Sequence, residues 1–440
     1  MERPERHEDH GGAGERHRCL LSGCGGTLGT GCAPDEAMNE LYRGRARDRL
    51  EHSDEINRAV VEEFLAARGR ERRTLLKAGG LLGLFTATGS LFSRVARADT
   101  TRGARPLFGD GGSGKIHVVE SSPATVRLGV FDTTLPNIVE IESGDTVLYP
   151  HTWSHFLNQL QPGVPVAELA RQRTANPGKG PHSIIGPVGV KGAEPGDLLE
   201  VQFLSLQPVP WAATFHNPGS LGTGALPDLF TDGQVKYVQL DLARMRARFN
   251  EDIELSLAPF QGTFGVAPPD GFFSMTGGVV SSVPPGPHGG NVDLREMSAG
   301  TRLFLPVWRP GAKIYTGDSH ALQGDGEVNL TALETAMQEV RVRILLHKQV
   351  GWKWPFVETE THWIAMGMDR DLATAQRIAL VNAIDFLARR AGLSRADAYA
   401  LCSVGVSFRV TQVVDVNKGV HAMIPKSIFN PRLAARMSIA

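Results

Sequence analysis

Apolar and polar residues alternate in several short segments of the chain after residue 98. The alternating segments span residues 199–203, 235–237, 340–344 and 404–410. Such alternation is typical of strands that bury one face in a core. Turn-forming segments rich in proline and glycine separate them, at residues 194–197, 284–287 and 309–311. These short intervals favour a mainly β protein with a sandwich or barrel over alternating βαβ units.

Helical periodicity is scarcer and is clearest near the carboxyl terminus. Asp371 is a candidate N-cap for a helix that ends at Gly392. Its apolar positions are Leu372, Ile378, Val381, Ile384 and Leu387. A second, short helix is expected to begin near Ser394. We predict a helical hairpin that packs on the sheets as part of the core scaffold.

The first 98 residues have the features of an export leader. Arg72 and Arg73 precede an uncharged run over 78–93, and an Ala-x-Ala site ends at Ala98. This pattern predicts a twin-arginine signal over 72–98, with the export machinery as a partner and a periplasmic or exported location. The uncharged run is short and weakly apolar for a membrane span, but an uncleaved signal would anchor the protein. Met38 is an alternative start, and a genuine disordered leader is the other interpretation.

Composition sets limits on the partners and the class of protein. The 440 residues are 41% hydrophobic and 21% charged, which suits a globular protein of two or three packed subdomains. The formal net charge is −1. Because no dense stripe of Lys and Arg follows the leader, the sequence argues against a nucleic-acid partner.

Cysteine is scarce after the predicted cleavage point. Cys19, Cys24 and Cys32 precede the signal, and their spacing lacks the close pairs of a zinc knuckle. Cys402 alone would remain in the mature region, residues 99–440, so folding there does not depend on an intramolecular disulfide. Cys402 lies at the start of an apolar segment that is predicted to be a strand, and no glycine-flanked turn surrounds it. It is therefore expected to be a core residue rather than a nucleophile.

The segment 317–327 has the highest density of chemically active side chains. Asp318 and His320 are two positions apart, as are Asp325 and Glu327. In extended backbone each pair would point to one face of the chain. Carboxylate oxygen and imidazole nitrogen are the donors that divalent cations prefer. The segment predicts a metal or proton-transfer site, and the alternative is a solvated polar turn.

Two other chemistries lack the residues they need. The glycine-rich segment 109–116 is similar to a phosphate-binding loop, but Ile116 stands where a Ser or Thr would hold magnesium. It is predicted to be a linker. Ser183 lacks a lysine pattern that could activate a serine nucleophile, so a metal-assisted reaction is what remains.

Further motifs follow one another in a characteristic order. They lie at residues 182–187, 190–197, 262–268, 287–293, 304–307, 311–312, 317–327, 412–415 and 424–426. Together they resemble the acetamidase/formamidase family of linear amide hydrolases, from about residue 139 to residue 429. The resemblance implies a mainly β fold with a jelly-roll-like sandwich, a small barrel and an α+β part. It also implies a short linear carboxamide as substrate, although the segment 151–177 leaves the substrate's size open.

The resemblance also implies a site. On this hypothesis Asp318 and His320 hold a divalent cation, zinc in the first place, with Asp293 or His288 completing the ligand set. Calcium is the alternative as a structural ion. The segment's two remaining acids would act next to it: Asp325 as a further ligand or orienting group, and Glu327 as general acid and base.

Substrate-binding candidates are Asn291, Gln323 and His182. Asn291 and Gln323 could bond to the substrate amide, and His182 could bind metal or substrate. Each has a structural alternative, a turn-stabilising Asn or a core His. His151 and His155 are weaker ligand candidates in a predicted loop, and His216 and His362 are expected to be structural.

Two other functions stay open at this point. The fold could serve a non-catalytic periplasmic module that binds a metal or ligand, or a hydrolase of another carbon–nitrogen bond. Homo-oligomers are common for small-amide hydrolases of this kind, and one is expected here.

Overall fold

The computed structural model describes residue 108 and residues 114–440 of the chain. The predicted signal (72–98), Met38, the three upstream cysteines and most of the glycine-rich linker lie outside the described residues. Among the described residues, no helix has the length and apolar character needed to span a membrane.

Short strands dominate the described part of the chain. The strands are β1 (Ile116–Val118), β2 (Val126–Leu128), β3 (Val130–Asp132), β4 (Val139–Ile141), β5 (Thr146–Pro150), β6 (Ser183–Val190), β7 (Leu198–Pro208), β8 (Trp211–His216), β9 (Gln234–Asp241), β10 (Arg246–Arg248), β11 (Glu254–Ser256), β12 (Phe260–Gly265), β13 (Ser274–Thr276), β14 (Val279–Ser281), β15 (Gly289–Asn291), β16 (Arg302–Pro306), β17 (Ile314–His320), β18 (Glu334–Thr335), β19 (Met337–His347), β20 (Phe356–Glu358), β21 (His362–Asp369), β22 (Ser407–Gln412) and β23 (Lys418–Pro425). The helices are α1 (His155–Asn158), α2 (Val166–Ala175), α3 (Leu372–Phe386), α4 (Arg395–Gly405) and α5 (Pro431–Ala434). The predicted mainly β class is confirmed.

Two large sheets form within the described residues. The first has the strand order β1-β5-β19-β7-β16-β20-β21-β23-β22. The second follows the path β11-β10-β9-β8-β18-β17-β12-β15, and β6 joins it at β17 and also pairs with β2 and β4. A third, smaller sheet contains three strands in the order β13-β14-β3. Most neighbours are antiparallel, which agrees with the alternating patterns in the sequence.

The two large sheets share one hydrophobic core. Val201 and Phe203 on β7 belong to the same buried cluster as Phe260 and Phe264 on β12. The rings of Phe203 and Phe264 meet edge to face with centroids 5.6 Å apart. Aromatic pairs of this geometry contribute stability beyond the area they bury. The sheets therefore pack face to face, as the sandwich prediction requires.

The helical hairpin packs on the first sheet as predicted. Asp371 accepts a hydrogen bond from the Thr374 amide at 2.8 Å and caps α3. Ser394 caps α4 by accepting from the Asp397 amide at 3.0 Å. Between them a π-turn ends at Gly392, whose positive φ of 72° suits glycine.

One predicted strand boundary was wrong. The alternation at residues 404–410 predicted a strand from Val404, whereas α4 continues to Gly405 and β22 begins at Ser407. Cys402 therefore lies in a helix rather than at the head of a strand, although it is a core residue as expected. The short apolar run fits the periodicity of a strand and of a helix. It forms a helix because Ala398 and Cys402 then lie on one buried face.

Candidate active site

Neighbouring strands of the second sheet bring the candidate residues together. In the β12–β17 pair, Phe260 lies opposite His320, and on the other side β18 places Glu334 opposite the same histidine. Asp318 lies two residues earlier on β17, and Asp293 follows β15. These side chains line a cavity of about 360 Å³. Strand pairing, not closeness in sequence, assembles the site.

Gly262 on β12 leaves the space into which the acids point. A Cβ atom at this position would lie 2.5 Å from Asp293 Oδ1, 2.6 Å from Asp318 Oδ2 and 2.6 Å from His320 Cε1. Such contacts are shorter than van der Waals separation, so any side chain here would displace the groups around it. Glycine is needed at this point because the backbone approaches three polar side chains at once.

Asp318 lies between histidines from three parts of the chain. His155 Nε2 is 3.0 Å from Asp318 Oδ1, and His320 Nε2 is 3.2 Å from the same oxygen. His182 Nε2 faces the other oxygen at 3.9 Å. The second nitrogen of His182, Nδ1, bonds to Ser282 Oγ at 2.8 Å, which fixes the ring orientation.

His320 is oriented by Gln323. The Nδ1 atom of His320 lies 3.1 Å from Gln323 Oε1, and because an amide oxygen only accepts, Nδ1 is the protonated nitrogen. The Gln323 amide nitrogen in turn donates to the Asp293 carbonyl oxygen at 2.8 Å. His320 Nε2 then points at Glu334 Oε2, 3.1 Å away. Gln323 thus holds the ring so that Nε2 faces the acids.

Burial and mutual repulsion act on the acids of the cavity. Burial, followed by the charge of Glu327, holds the pKa of Asp293 well above its usual range. Burial and then Asp415 do the same to the pKa of Glu327. Burial also raises the pKa of Asp415 to about 7. Buried carboxyls of this kind keep a proton at neutral pH and can donate it.

Asp318 behaves in the opposite way. Burial alone would raise its pKa, but His182 and His320 outweigh burial and hold the pKa of Asp318 well below its usual range. Burial would likewise lower the pKa of His320, but Glu334 and Asp318 raise it well above the usual value. The cavity therefore contains one firmly ionised carboxylate beside carboxyls that favour the protonated form.

The structure brings together most of the residues predicted from the sequence. The cavity is lined by Asp318, His320, Asp293, Glu327, Asn291 and His182. Gln323 lies outside the lining set and contacts His320 and the Asp293 backbone instead. Thr263 Oγ1 donates to Asn291 Oδ1 at 2.5 Å, which leaves the Asn291 amide nitrogen as the donor group.

Two predicted residues lie elsewhere. His288 is fully buried between Phe131 and Phe272, with ring centroids 5.6 Å and 4.8 Å away. Neither of its ring nitrogens has a hydrogen-bond partner. Asp325 is exposed and lies 3.8 Å from Arg409, outside the residues that line the cavity.

Sequence reasoning missed or underrated three acids and bases of the cavity. His155 ranked only as a weak loop ligand, and α1, which carries it, has left-handed backbone at Phe156 and Leu157. Glu334 lies in a two-residue strand that has no sequence motif. Asp415 ends the segment 412–415 but gave no sign of a chemical role. Only the His-x3-His spacing could have pointed to one of them.

The donor set of the cavity fits a divalent cation. Three sets of side chains have ligand atoms that lie within 4.8 Å of one another. The first is His155 with His182 and Asp318, the second is Asp318 with His320 and Glu334, and the third is Asp293 with His320 and Glu327. Both carboxylate oxygens of Asp293 and one of Glu327 are buried without a hydrogen-bond partner, and Glu334 Oε2 contacts His320 Nε2 at 3.1 Å. Buried unpaired carboxylate oxygens are costly, and a cation is the ligand that removes the cost.

A model of the Acetamidase/Formamidase family matches residues 134–277 and 274–431. An acetamidase from Mycolicibacterium smegmatis is 30% identical over 203 residues, which are 34% of this chain and 49% of that protein. A formamidase from Methylophilus methylotrophus is 24% identical over 314 residues, 56% of this chain and 77% of that protein. The chain spans about half the length of the first of these relatives.

Solved structures give the same result at the level of the fold. An acetamidase from Bacillus halodurans superposes with a TM-score of 0.62 at 27% identity, covering 71% of this chain and 98% of that one. An acetamidase from Yersinia enterocolitica gives a TM-score of 0.64 at 27% identity, covering 74% and 96%. The mainly β architecture is thus shared over nearly the whole length of both neighbours.

Proposed function

Because the chain belongs to the acetamidase/formamidase family, we propose that it hydrolyses a short linear carboxamide to the carboxylate and ammonia. The observation that carries the proposal is the set of buried carboxylate oxygens of Asp293 and Glu327 that have no hydrogen-bond partner. They face one cavity together with the histidines that surround Asp318.

We propose that this cavity holds zinc. Asp318, His320, Glu334 and His155 offer the mixed nitrogen and oxygen donors that zinc prefers, and His182 is within reach of the same carboxylate. A bound zinc ion supplies Lewis acidity that makes the amide carbonyl more electrophilic. The hydrogen bonds of His320 to Gln323 and of His182 to Ser282 hold the ligand rings in place.

Glu327 is the proposed general acid and base. Amide hydrolysis requires a group that takes a proton from water and delivers one to the leaving nitrogen. The raised pKa of Glu327, caused by burial and by Asp415, suits this task near neutral pH. Asp293 and Asp415 line the same cavity, and because burial raises the pKa of both, they can hold protons next to Glu327. They help Glu327 to regain its proton after transfer.

Asn291 is the proposed donor to the substrate. Because Thr263 donates to its side-chain oxygen, the Asn291 amide nitrogen is the atom that can bond to a carbonyl oxygen in the cavity. The apolar part of the lining comes from Phe156, Phe215 and Leu330. It suits a short alkyl or aryl group next to the carbonyl carbon.

A neighbouring apolar cavity bears on substrate length. It has a volume of about 340 Å³ and is lined by Leu226, Phe230 and Val328 among others. Thr223 and Gly224 border both cavities. We therefore include longer and aromatic amides, besides formamide and acetamide, among the substrates to be tested.

The test is ammonia release from a panel of amides by the purified full chain. We expect turnover of at least one linear amide, loss of turnover on chelation, and recovery with zinc. Glu327→Gln should lower kcat by about 100-fold or more, since general acid–base catalysis contributes at least that much. Glu251→Gln, which removes an exposed acid, is the matched control. Bound zinc without turnover of any amide would favour the non-catalytic module, and turnover of another carbon–nitrogen bond would change the substrate class.

We also propose that residues 1–98 form a leader and residues 99–440 the enzyme. The twin-arginine pattern at 72–98 supports export to the periplasm, with anchoring to the membrane if the signal is retained. A homo-oligomer is proposed by analogy with other small-amide hydrolases. These proposals do not depend on the identity of the amide.

A further inference from the structure

A second group of metal-competent side chains lies outside the cavity. Glu296, Asp325 and His421 offer ligand atoms within 4.8 Å of one another, and none of the three lines the cavity. They come from the turn after β15, the segment 321–330 and β23. Three separate parts of the chain thus converge on one point for which the proposed reaction has no use.

His421 is the central member of this group. Its side chain is 0% exposed, and its Nε2 atom has no hydrogen-bond partner although it lies 4.0 Å from Glu296 Oε2. The other ring nitrogen, Nδ1, is 2.8 Å from Thr411 Oγ1. With Nδ1 as the donor to Thr411, Nε2 carries the lone pair that a metal needs. Burial lowers the pKa of His421 to about 3, so the ring is neutral at physiological pH.

Glu296 supplies the second unsatisfied atom. Its Oε2 atom is buried and has no hydrogen-bond partner. Burial, followed by the charge of Asp325, raises the pKa of Glu296. Two acids that repel each other beside an unpaired imidazole nitrogen form a site that a cation stabilises.

Arg409 satisfies this group only in part. Its Nη1 atom is 3.5 Å from Glu296 Oε1 and 3.8 Å from Asp325 Oδ2, both long for charge-assisted hydrogen bonds. The arginine contacts Oε1, whereas the unpaired Glu296 oxygen that faces His421 is Oε2. The charge of Arg295 also acts on Glu296 and His421. The two arginines thus balance the two acids in formal charge, and the unpaired Glu296 Oε2 and His421 Nε2 atoms are what a cation would satisfy.

We propose that Glu296, Asp325 and His421 form a second, structural metal site that binds zinc through His421 Nε2 and the two carboxylates. An imidazole ligand favours zinc over calcium or magnesium, which prefer oxygen alone. Asp325, whose side chain is 32% exposed, lies on the solvent side. Zinc would enter from that side, and a water molecule would complete four-coordination next to the three protein ligands.

The site would fix the turn that carries Glu327. Gly326 donates from its amide to the Thr411 carbonyl at 3.0 Å and accepts from the Val413 amide at 3.2 Å. A cation that joins Asp325 to His421 would clamp the same turn to β23, next to β22. Glu327 lies two residues after Asp325 in the same turn and lines the cavity. The second site is thus a positioning device for the proposed general acid, although its existence does not depend on that role.

The test counts zinc in the full chain after removal of all metal and equilibration with zinc alone, by mass spectrometry of the metal content. We expect Asp325→Ala to bind one zinc ion fewer per chain than the wild type at the same free zinc concentration. Asp252→Ala removes an exposed carboxylate far from the group and should bind as many ions as the wild type. His421→Asn should also bind one zinc ion fewer if the variant folds. The test does not depend on it, because Asp325 is exposed and Asp325→Ala should fold normally.

A double variant separates this site from the cavity. Asp318→Ala should remove zinc from the cavity, and Asp318→Ala with Asp325→Ala should lose both ions, since the two sets share no ligand. Equal zinc content in the wild type and Asp325→Ala would overturn the proposal. That outcome leaves amide hydrolysis untouched, so failure of one proposal is distinguishable from failure of the other.

Discussion

At the scale of single residues, the site is built from acids whose environments push their protonation in opposite directions. Asp318 lies among three imidazoles and stays ionised, whereas Glu327 lies among other carboxyls and favours the protonated form. Both are buried, so burial does not distinguish them. The nearest charges decide which acid binds a cation and which transfers protons. Sequence spacing, which treats Asp318 and Glu327 alike, contains no such information.

The space at Gly262 is the first residue-level prediction. Gly262→Ala would place a methyl group within 2.6 Å of Asp293, Asp318 and His320 atoms, so these groups must move apart. We expect zinc affinity to fall by at least about tenfold, as for other changes that misplace metal ligands. Overpacking of this kind should destabilise the fold by about 1–3 kcal/mol. Zinc titration of the metal-free protein and thermal unfolding measure the two effects.

Gly324→Ala is the matched control for this change. A Cβ atom at Gly324 would meet no atom within 4 Å, and its φ is not in the left-handed region, so the substitution should leave zinc affinity unchanged. Equal affinities for Gly262→Ala and the wild type would contradict the assignment of the ligands around Gly262.

The titration of His320 gives a second prediction, for pH dependence. Its pKa is raised well above the ordinary value because, although burial opposes protonation, Glu334 and Asp318 favour the imidazolium. In the metal-free protein this ring therefore keeps its proton to a higher pH than a free histidine does. A protonated imidazole cannot bind metal, so zinc affinity should rise as pH rises through the pKa of His320 and fall below it. Calorimetry in buffers of different ionisation enthalpy should detect proton release on zinc binding near pH 7.

The variant His320→Asn provides the comparison. It lacks the titrating group, so the protons released per zinc ion should decrease. Zinc binding with no proton release in the wild type would show that His320 is neutral before the metal arrives, contrary to this expectation.

At the scale of elements, the sequence predicted what local periodicity controls. The helical hairpin, with caps at Asp371 and Ser394 and a stop at Gly392, follows from capping chemistry and was found as expected. The boundary at Val404 was wrong because a short apolar run fits both a helix and a strand. Elements with strong local signals were predictable, and ambiguous ends were decided by packing.

Turn geometry explains why the segment 317–327 was only partly predictable. Extended backbone would place Asp325 and Glu327 on one face, but Gly326 and Glu327 have φ values of 98° and 45°. The two side chains consequently diverge, and Asp325 joins Glu296 and His421 rather than the cavity. Strand β17 keeps Asp318 and His320 together even though Asp318 has a left-handed φ of 59°, and their oxygen and nitrogen are 3.2 Å apart. The prediction of a shared face held only where a strand formed.

Long-range pairing supplied the rest of the site. Glu334 reaches His320 because β18 pairs with β17, and His155 reaches Asp318 across 163 positions of sequence. Neither contact is marked by a motif. A single sequence reveals which residues can do chemistry, but sheet topology decides which of them meet.

At the scale of the whole molecule, our proposal of a leader over residues 1–98 implies a protein that is exported after folding. The proposed ligands Asp318, His320 and Glu334 come from the paired strands β17 and β18, so the proposed metal site would form only once these strands have paired. Twin-arginine export is the route compatible with a metal bound to a folded chain. Residues 99–440 contain only Cys402, so folding of this region does not depend on an intramolecular disulfide.

The proposed export signal depends on Arg72 and Arg73. Replacing both by Lys keeps the charge but removes the arginine pair that defines the signal, so the protein should accumulate in the cytoplasm of a host that has the twin-arginine machinery. Cell fractionation and immunoblotting measure the distribution. Arg68→Lys with Arg70→Lys is the matched control, since it makes the same change just outside the pair and should leave export intact.

If the retained protein contains as much zinc as the exported wild type, the metal enters before translocation. Unchanged export of the Arg72/Arg73 variant would reject the signal, and retained protein without zinc would mean that the metal is acquired outside the cytoplasm.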